Sequence, residues 1–289
     1  MSWSLASLRD MILSPGQRAM IVCMLEVTAR KPGNVHPGAS LADLCFADFL
    51  AGAAAIRPVL DRAGELGVGR TVLECVRETR KLVPTNVNLG IALLLAPLAA
   101  VPENDRLKTG IGEVMMRLTV EDACAVYQAI RLAQPGGLGR SAEQDIAGEP
   151  TEDLRTVMGR AADRDLVARQ YANNFEQVLW GASLLSGSVA AHLDWEQAII
   201  YCHLEMMANF PDTLIARKRG QAEAEEAANR AADVLAKEWP ASPESHRLFA
   251  EFDAWLRAAG HERNPGTTAD LVTASLFVAL RNGTMRLNS

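Results

Sequence analysis

The chain has 289 residues, of which 49% are hydrophobic and only 5% aromatic, so its core must be built from Ala, Leu and Val. That composition favours packed helices over a β-sandwich. The formal net charge of −6 argues against a nucleic-acid partner bound through a general basic surface.

Apolar residues recur at spacings of three and four along almost the whole chain, which predicts helices. The predicted helices span residues 15–29, 43–60, 68–83, 88–101, 118–132, 151–162, 164–187, 195–209, 213–237, 243–259 and 268–281. No internal repeat of fixed period is evident. We therefore expect an all-α fold, with residues 1–289 forming a single domain of roughly ten to twelve packed helices.

The cysteines and the apolar runs predict a cytoplasmic protein. No two of the five cysteines have CxxC spacing, so zinc sites and disulfide frameworks are not expected. The first fourteen residues lack the basic and apolar regions of a signal peptide. The longest apolar run, 89–101, is shorter than the roughly 20 residues that span a bilayer, so it predicts a buried core helix.

The stretch EVTARKPGNVHPG, residues 26–38, is the most unusual break between predicted helices. A helix connection needs only about 2–8 residues. This one also carries charged and proton-transferring side chains, among them Glu26, Lys31 and His36. Loops with that content are often functional. A solvated loop lysine is the simpler interpretation of Lys31 alone.

Four other breaks carry more polar side chains than a connection needs. They are residues 84–90, PTNVNLG; 211–220, PDTLIARKRG; 264–271, NPGTTADL; and the Gly- and Pro-rich stretch 134–150, which includes Gln144 and Asp145. We interpret the last as an active-site loop, with a domain linker as the alternative.

Several of these polar residues also have purely structural interpretations. Asn86 or Asn88 fits a cap of the helix that follows, and Asp212 fits a cap of the next segment. Thr267 and Asp270 fit a capping box. His192, His203 and His246 lie in helical patterns and are interpreted as ordinary structural histidines.

Taken together, the breaks indicate a site for a magnesium-bound nucleotide. Mg²⁺ prefers one or two carboxylates, with substrate phosphates and waters completing its octahedron. Phosphates bind Lys, Arg and backbone N–H groups, and a glycine lets the backbone approach them closely. No GxxxxGK[ST] motif is present, so a P-loop is excluded.

Three of these segments resemble motifs of the triphosphoribosyl-dephospho-CoA synthase family, known from the citrate lyase and malonate decarboxylase systems. EVTARKPGNV is similar to the family's EV-x-x-x-PKPG-hydrophobic-V signature. PDTLIARKRG is similar to its later D-T-N/L segment followed by a glycine, and NPGTTADLV to its S/N-PGGSADLL segment. Each motif alone is weak, but their order and spacing from 26 to 280 cover most of the chain.

The resemblance implies an all-α transferase that uses ATP and 3′-dephospho-CoA, with Mg²⁺ on the triphosphate. A ribose 2′-hydroxyl of the acceptor attacks C1′ of the ATP ribose, and adenine leaves. The implied catalytic residues are Glu26, Asp212 and Asp270, with Glu26 and Asp212 also candidate Mg²⁺ ligands. Which carboxylate has which role stays open. The implied nucleotide-binding residues are Lys31, Gly33, Asn34, His36, Asn86, Asn88, Gly90, Thr213 and Thr268.

The chain departs from the family at residues 84–90. The citrate-lyase branch has G-G-V-N-T-H-K-G there, and Asn88 and Leu89 stand where it has His and Lys. An Asn can hydrogen-bond phosphate or ribose but cannot carry charge or act as a base. Two alternatives therefore stay open: a related nucleotide-dependent transferase with another acceptor in cofactor biosynthesis, and a non-catalytic helical nucleotide-binding or scaffold protein.

A homodimer formed through a helix face fits an Ala-rich bundle, although no heptad run is long enough to predict it.

Overall fold

The structure is a computed structural model that describes residues 13–42, 44–134, 148–187 and 192–285. Within those ranges it contains fifteen α-helices, and the only β-pairing there consists of isolated bridges between His36 and Ala39 and between Leu41 and Leu44. The predicted all-α fold is confirmed. The stretch interpreted as an active-site loop lies mostly outside the described residues, and so do Gln144 and Asp145.

In chain order the helices are α1 Pro15–Thr28, α2 Phe46–Leu60, α3 Ala63–Leu66, α4 Val68–Leu82, α5 Leu89–Ala100, α6 Leu107–Met116, α7 Val120–Ala133, α8 Leu154–Ala161, α9 Leu166–Ala172, α10 Glu176–Ser186, α11 Trp195–Asn209, α12 Thr213–Arg219, α13 Gln221–Ala236, α14 Pro243–Arg257 and α15 Gly266–Arg281.

The described residues contain more helices than the predicted ten to twelve because local backbone turns divide two long apolar patterns. Gly220 separates α12 from α13 with φ +92°, a conformation that glycine adopts without strain. Asn174 and Phe175 have φ +56° and +66° and separate α9 from α10. In addition, α3 and α6 lie between predicted helices.

The described residues fall into two compact units, and the division falls within α1 and α10. The first unit comprises residues 25–46 and 180–285 and includes α11 to α15. Its hydrophobic core is built from α11 to α14 and from Trp239 in the connection between α13 and α14. The helical core residues are Ile200, Leu204, Met207, Ile215, Ala224, Ala227, Ala231, Val234, Phe252 and Leu256. The alanines of α13 recur at spacings of three and four, so they form one face that neighbouring helices can approach closely.

The second unit comprises residues 13–24 and 47–179. Its central helix is α5, in which all but two residues are buried, as expected for a helix that is apolar on every face. This confirms the predicted buried core helix. None of the helices in the described ranges is long and apolar enough to cross a membrane. The prediction of a single domain over the whole chain stays a prediction.

Close packing in the second unit depends on a glycine of α4. The Gly69 N–H donates a hydrogen bond to Asp122 Oδ1 on α7 at 2.7 Å. A Cβ at position 69 would lie 2.4 Å from the Cα of Asp122, which is far below van der Waals contact. Helices α4 and α7 therefore meet backbone to backbone at this point.

Candidate active site

The loop that follows α1 folds back onto the last turn of that helix. Only 1% of Lys31 is exposed, so the interpretation as a solvated loop lysine is wrong. Its ammonium donates hydrogen bonds to the backbone carbonyls of Glu26 and Ala29, the latter at 3.2 Å, and lies 3.1 Å from Glu26 Oε1. All three ammonium hydrogens therefore have a partner. The charge lies at the C-terminal end of α1, where the helix dipole stabilises a cation.

Glu26 is itself almost fully buried, with 6% exposed. Burial raises the pKa of this carboxyl, and the positive charge of Lys31 opposes that rise. Oε1 lies 3.1 Å from the Lys31 ammonium and has no further partner among the described residues. A buried carboxylate with a raised pKa and an unused acceptor is suited to take up a proton.

Gly33 has φ +74°, and its N–H donates to Asp253 Oδ1 on α14 at 2.8 Å. A Cβ here would lie 2.8 Å from Leu256 Cδ1 and 3.0 Å from Pro265 Cδ. The close approach that this glycine permits is therefore to other parts of the first unit. Its predicted contact with a phosphate stays a prediction.

Two residues of α14 that sequence reasoning missed hold the loop in place. Asp253 binds the Gly33 amide, and Arg257 Nη2 donates to the backbone carbonyl of Asn34 at 2.7 Å. Arg257 Nε also lies 2.9 Å from both carboxylate oxygens of Asp253. The available signal was an acid and a base four residues apart on one helix face.

Asn34 is buried, with only 6% of its surface exposed. Its side-chain Nδ2 donates to Asn264 Oδ1 at 2.7 Å, which links the loop to the segment before α15. Its own Oδ1 has no hydrogen-bond partner among the described residues. One acceptor of this buried amide is therefore left without a partner in the described part of the chain.

Arg30 ties the same loop to the first turn of α11. Its guanidinium donates to both carboxylate oxygens of Glu196 at 2.7 and 2.8 Å, and its backbone N–H donates to Oε1 at 2.9 Å. These bonds lower the pKa of Glu196. The pair was not predicted from the sequence, because its partners lie 166 positions apart.

His36 is half-buried in the turn that ends the loop. Its Nδ1 accepts a hydrogen bond from the Gly38 amide at 3.1 Å, which leaves the proton of the neutral ring on Nε2. Burial lowers the pKa of His36, and the nearby guanidinium of Arg257 lowers it further. Both effects favour the neutral imidazole over the cation.

Asp212 is fully buried and joins the starts of two helices. Oδ1 accepts from the backbone N–H groups of Leu214 and Ile215 at 2.8 and 3.0 Å, so the residue caps α12, as one of the sequence alternatives predicted. Oδ2 accepts from the N–H and the hydroxyl of Thr268 on α15 at 2.7 and 2.8 Å. Burial raises the pKa of Asp212, while these four hydrogen bonds oppose the rise.

The predicted capping box of Thr267 and Asp270 is wrong. Helix α15 begins at Gly266 after Pro265, without a side-chain cap, so Thr267 already lies inside the helix. The hydroxyl of Thr213 donates to that of Thr267 at 3.3 Å, which adds a second link between α12 and α15. Asp270 lies further along α15 and is half-buried.

His203 on α11 is a residue whose surroundings differ from those expected of an ordinary core histidine. It is fully buried, yet neither ring nitrogen has a hydrogen-bond partner among the described residues. Burial lowers the pKa of His203 well below its ordinary value, and the charge of Lys31 lowers it further. The imidazole is therefore neutral and lies within the electrostatic influence of the Lys31 ammonium.

The predicted residues Asn86, Asn88 and Gly90 belong to the second unit. Asn88 holds the N-cap position of α5 but makes no side-chain cap hydrogen bond, whereas Asn86 Oδ1 accepts from the Leu89 N–H at 3.1 Å. Asn88 is buried, and its Nδ2 donates to Thr79 Oγ1 at 3.1 Å. Gly90 lies in the first turn of α5 and is half-buried.

The two carboxylates predicted to bind Mg²⁺ do not fit a resident metal. Asp212 uses both oxygens for four hydrogen bonds, and Glu26 faces an ammonium group. The described part of the chain contains no group of three or more His, Cys, Asp or Glu side chains placed to hold a metal ion. Mg²⁺ usually takes only one or two carboxylates together with substrate phosphates, so its binding by Glu26 or Asp212 stays a prediction.

Two comparisons with known proteins point to the same family. A protein-family model described as CitG, ATP:dephospho-CoA triphosphoribosyl transferase, matches residues 13–289. A crystal structure from Archaeoglobus fulgidus, of a protein provisionally named a triphosphoribosyl-dephospho-CoA synthase, superposes with a TM-score of 0.64 at 26% sequence identity. The match covers 81% of this chain and 99% of that one. No curated protein matched the chain.

Proposed function

The chain belongs to the ATP:dephospho-CoA triphosphoribosyl transferase family, and we propose that its catalytic centre is Glu26 together with the loop that follows α1. The enzyme transfers the triphosphoribosyl group of ATP to dephospho-CoA. The observation that carries the proposal is the buried pair of Glu26 and Lys31, in which Glu26 Oε1 has no partner besides the ammonium among the described residues.

The proposed reaction exchanges one bond at C1′ of the ATP ribose for another. The oxygen of the ribose 2′-hydroxyl of dephospho-CoA bonds to C1′, and the bond from C1′ to the adenine nitrogen breaks with its electron pair. Adenine takes up a proton, and the attacking hydroxyl loses one. Glu26 is the proposed general base for the hydroxyl, because burial makes its carboxylate more basic than that of an exposed glutamate.

Lys31 has a supporting role in this proposal. Its ammonium keeps Glu26 ionised in a place where burial alone would favour the protonated acid. A direct contact between Lys31 and a phosphate stays a prediction, and it requires the ammonium to exchange one of its two carbonyl partners for a phosphate oxygen.

Asp212 is proposed to act by positioning. Its four hydrogen bonds fix the start of α12 against the start of α15, where Thr213, Thr268 and Asp270 lie. We keep these three residues as proposed nucleotide contacts, with Asp270 placed against a ribose. Gly33, Asn34 and His36 are also proposed to bind the nucleotide, while the roles of Asn86, Asn88 and Gly90, which belong to the second unit, stay predictions.

Mg²⁺ is proposed to enter as part of the substrate, bound to the triphosphate of ATP and to water.

The negative net charge supports small-molecule partners rather than nucleic acid. The expected cytoplasmic location agrees with the intracellular supply of ATP. A homodimer stays a prediction.

The decisive experiment measures free adenine by chromatography after incubation of the purified protein with ATP and Mg²⁺, with and without dephospho-CoA. Adenine that forms only with dephospho-CoA supports the proposed reaction. ATP binding without adenine release would favour another acceptor. This outcome is worth testing because Asn88 and Leu89 stand where the citrate-lyase branch has His and Lys. Neither binding nor turnover would favour a scaffold protein.

A further inference from the structure

Buried side-chain atoms without a hydrogen-bond partner are concentrated in one part of the first unit. The described residues contain five such atoms, and four of them belong to Glu26, Asn34 and His203. The atoms are Glu26 Oε1, Asn34 Oδ1 and both ring nitrogens of His203. Burying a polar atom without a partner costs free energy, so three such residues in one region need a physical explanation.

All three residues are grouped around Lys31. Glu26 Oε1 lies 3.1 Å from its ammonium, and the Asn34 N–H donates to the Lys31 carbonyl at 3.4 Å. Burial lowers the pKa of His203, and the charge of Lys31 lowers it further. Glu26 and Asn34 thus contact Lys31 directly, and the effect of the Lys31 charge supports placing His203 near them.

The attachment of the loop to α11 supports this placement. Arg30, the residue before Lys31, binds Glu196 on α11 through both carboxylate oxygens. His203 follows Glu196 by seven residues, which is two helical turns, so both side chains lie on the same face of α11. The loop is therefore fastened to the helix face that carries His203.

The hydrogen-bonding character of the four atoms indicates the kind of ligand. Glu26 Oε1 and Asn34 Oδ1 can only accept, and the neutral His203 ring has one donor and one acceptor. Most of the unused hydrogen-bonding atoms are therefore acceptors, and they require a ligand that donates. Phosphate oxygens of an ionised triphosphate only accept, whereas a sugar hydroxyl both donates and accepts.

We propose that His203 contacts the substrate, and that His203, Glu26 and Asn34 together bind the hydroxyl groups of a ribose rather than a phosphate. The proposal deepens the proposed function and rests on it for the identity of the two substrates. ATP and dephospho-CoA both carry a ribose with free hydroxyls, and the experiment separates them. A ribose hydroxyl bound at Glu26 would also lie next to the proposed general base.

The test compares the variants His203→Leu and His203→Gln with the wild-type protein by titration calorimetry. The ligands are ATP, dephospho-CoA and 2′,3′-dideoxy-ATP, which has the phosphates of ATP but lacks its ribose hydroxyls. His203→Leu is expected to bind ATP or dephospho-CoA about tenfold more weakly, while its affinity for dideoxy-ATP stays within about twofold. His203→Gln, which keeps a donor and an acceptor, is expected to recover part of the loss.

Which ligand loses affinity identifies the ribose. A loss for ATP without one for dideoxy-ATP places the ATP ribose here, and a loss confined to dephospho-CoA places the acceptor ribose here. An equal loss for ATP and dideoxy-ATP, or no loss for any ligand, overturns the proposal. Because these are binding measurements, they remain informative even if the wild-type protein releases no adenine.

Thermal unfolding separates this role from a structural one. Replacing an unpartnered imidazole by leucine should leave the melting temperature of the free protein unchanged or raised. If the leucine variant does not fold, histidine NMR of the wild-type protein decides, with the His203 signal assigned by its absence in His203→Gln. A shift of that signal with ATP or dephospho-CoA, but not with dideoxy-ATP alone, supports the proposal. No shift with saturating ATP and dephospho-CoA overturns it.

Discussion

Glu26 and Lys31 are five residues apart in sequence and form an ion pair of 3.1 Å at a place shielded from water. Buried ion pairs rarely add much net stability, because desolvation of the two charges offsets their attraction. A loop that only joined α1 to α2 would gain little from such a pair. Its presence supports a chemical role for the carboxylate.

The substitution Glu26→Gln removes the proposed base but keeps an oxygen that can accept from Lys31. We expect adenine release to fall by about 10²- to 10⁴-fold, the usual contribution of a general base, while the circular-dichroism spectrum stays that of the wild type. Glu65→Gln is the control, since Glu65 is an exposed residue of α3. Unchanged adenine release in Glu26→Gln would remove this residue from the mechanism.

The activity is expected to depend on pH through the same carboxyl. Burial raises the pKa of Glu26 above its ordinary value of 4.5. A base works only when deprotonated, so adenine release should fall as the pH is lowered through this raised pKa, with a midpoint above 4.5. The measurement is kcat/KM against pH, with circular dichroism to exclude unfolding. A midpoint at or below 4.5 would contradict the assignment.

Removing Lys31 should destabilise the fold through the charge that it leaves behind. In Lys31→Met the carboxylate of Glu26 stays buried without its cation, and we expect the free energy of unfolding to fall by about 3–5 kcal/mol. Combining this change with Glu26→Gln should cost less than the sum of the two single changes. Urea unfolding of the two single variants and the double variant measures this coupling, and strict additivity would contradict it.

At the scale of helices, Asp212 connects α12 with α15 as well as capping α12. We expect Asp212→Ala to lower the free energy of unfolding by more than the about 1 kcal/mol typical of a lost helix cap, because the Thr268 amide also loses its partner. Asp153→Ala is the control, since Asp153 caps α8 and bonds Thr156 within that helix. Equal losses in the two variants would show that the link to α15 adds no stability.

The backbone contact between α4 and α7 leaves no room for a side chain at Gly69. We expect Gly69→Ala to destabilise the protein by about 1–3 kcal/mol, because a Cβ would lie 2.4 Å from the Asp122 backbone. Gly112→Ala in α6 is the control, where a Cβ would have no neighbour within 4 Å. That change should be neutral or stabilise by up to about 1 kcal/mol, since alanine favours helix. Thermal unfolding of both variants compares the two sites.

The presence of the helices was predictable from the sequence, whereas their boundaries were less predictable. The apolar spacing of three and four that predicts a helix continues through Asn174 and Gly220, where the chain in fact turns. Gly220 offered a local signal, because glycine often ends helices. Phe175 offered no such signal. Its positive φ accompanies complete burial of the ring, and the residues around it in the sequence do not indicate either feature.

For the whole molecule, the sequence indicated the loop of the candidate site but not what surrounds it. Residues of that loop were predicted because charges, prolines and glycines interrupt a helical pattern. Asp253 could not be predicted, and neither could the contact of Asn264 with Asn34, although residues 264–271 were singled out, because these pairs lie 220 and 230 positions apart in the chain. His203 resembled any core histidine until its burial and its unpartnered nitrogens were known.

Those long separations have a consequence for the order in which the protein is made. A ribosome adds about 5–20 residues per second, so the loop around Lys31 emerges roughly ten seconds or more before Asp253 and Asn264 can leave the exit tunnel. Throughout that interval the loop lacks the partners that later fix Gly33 and Asn34. A nascent chain released before α14 is complete should therefore contain α1 and the second unit yet bind no nucleotide at this loop.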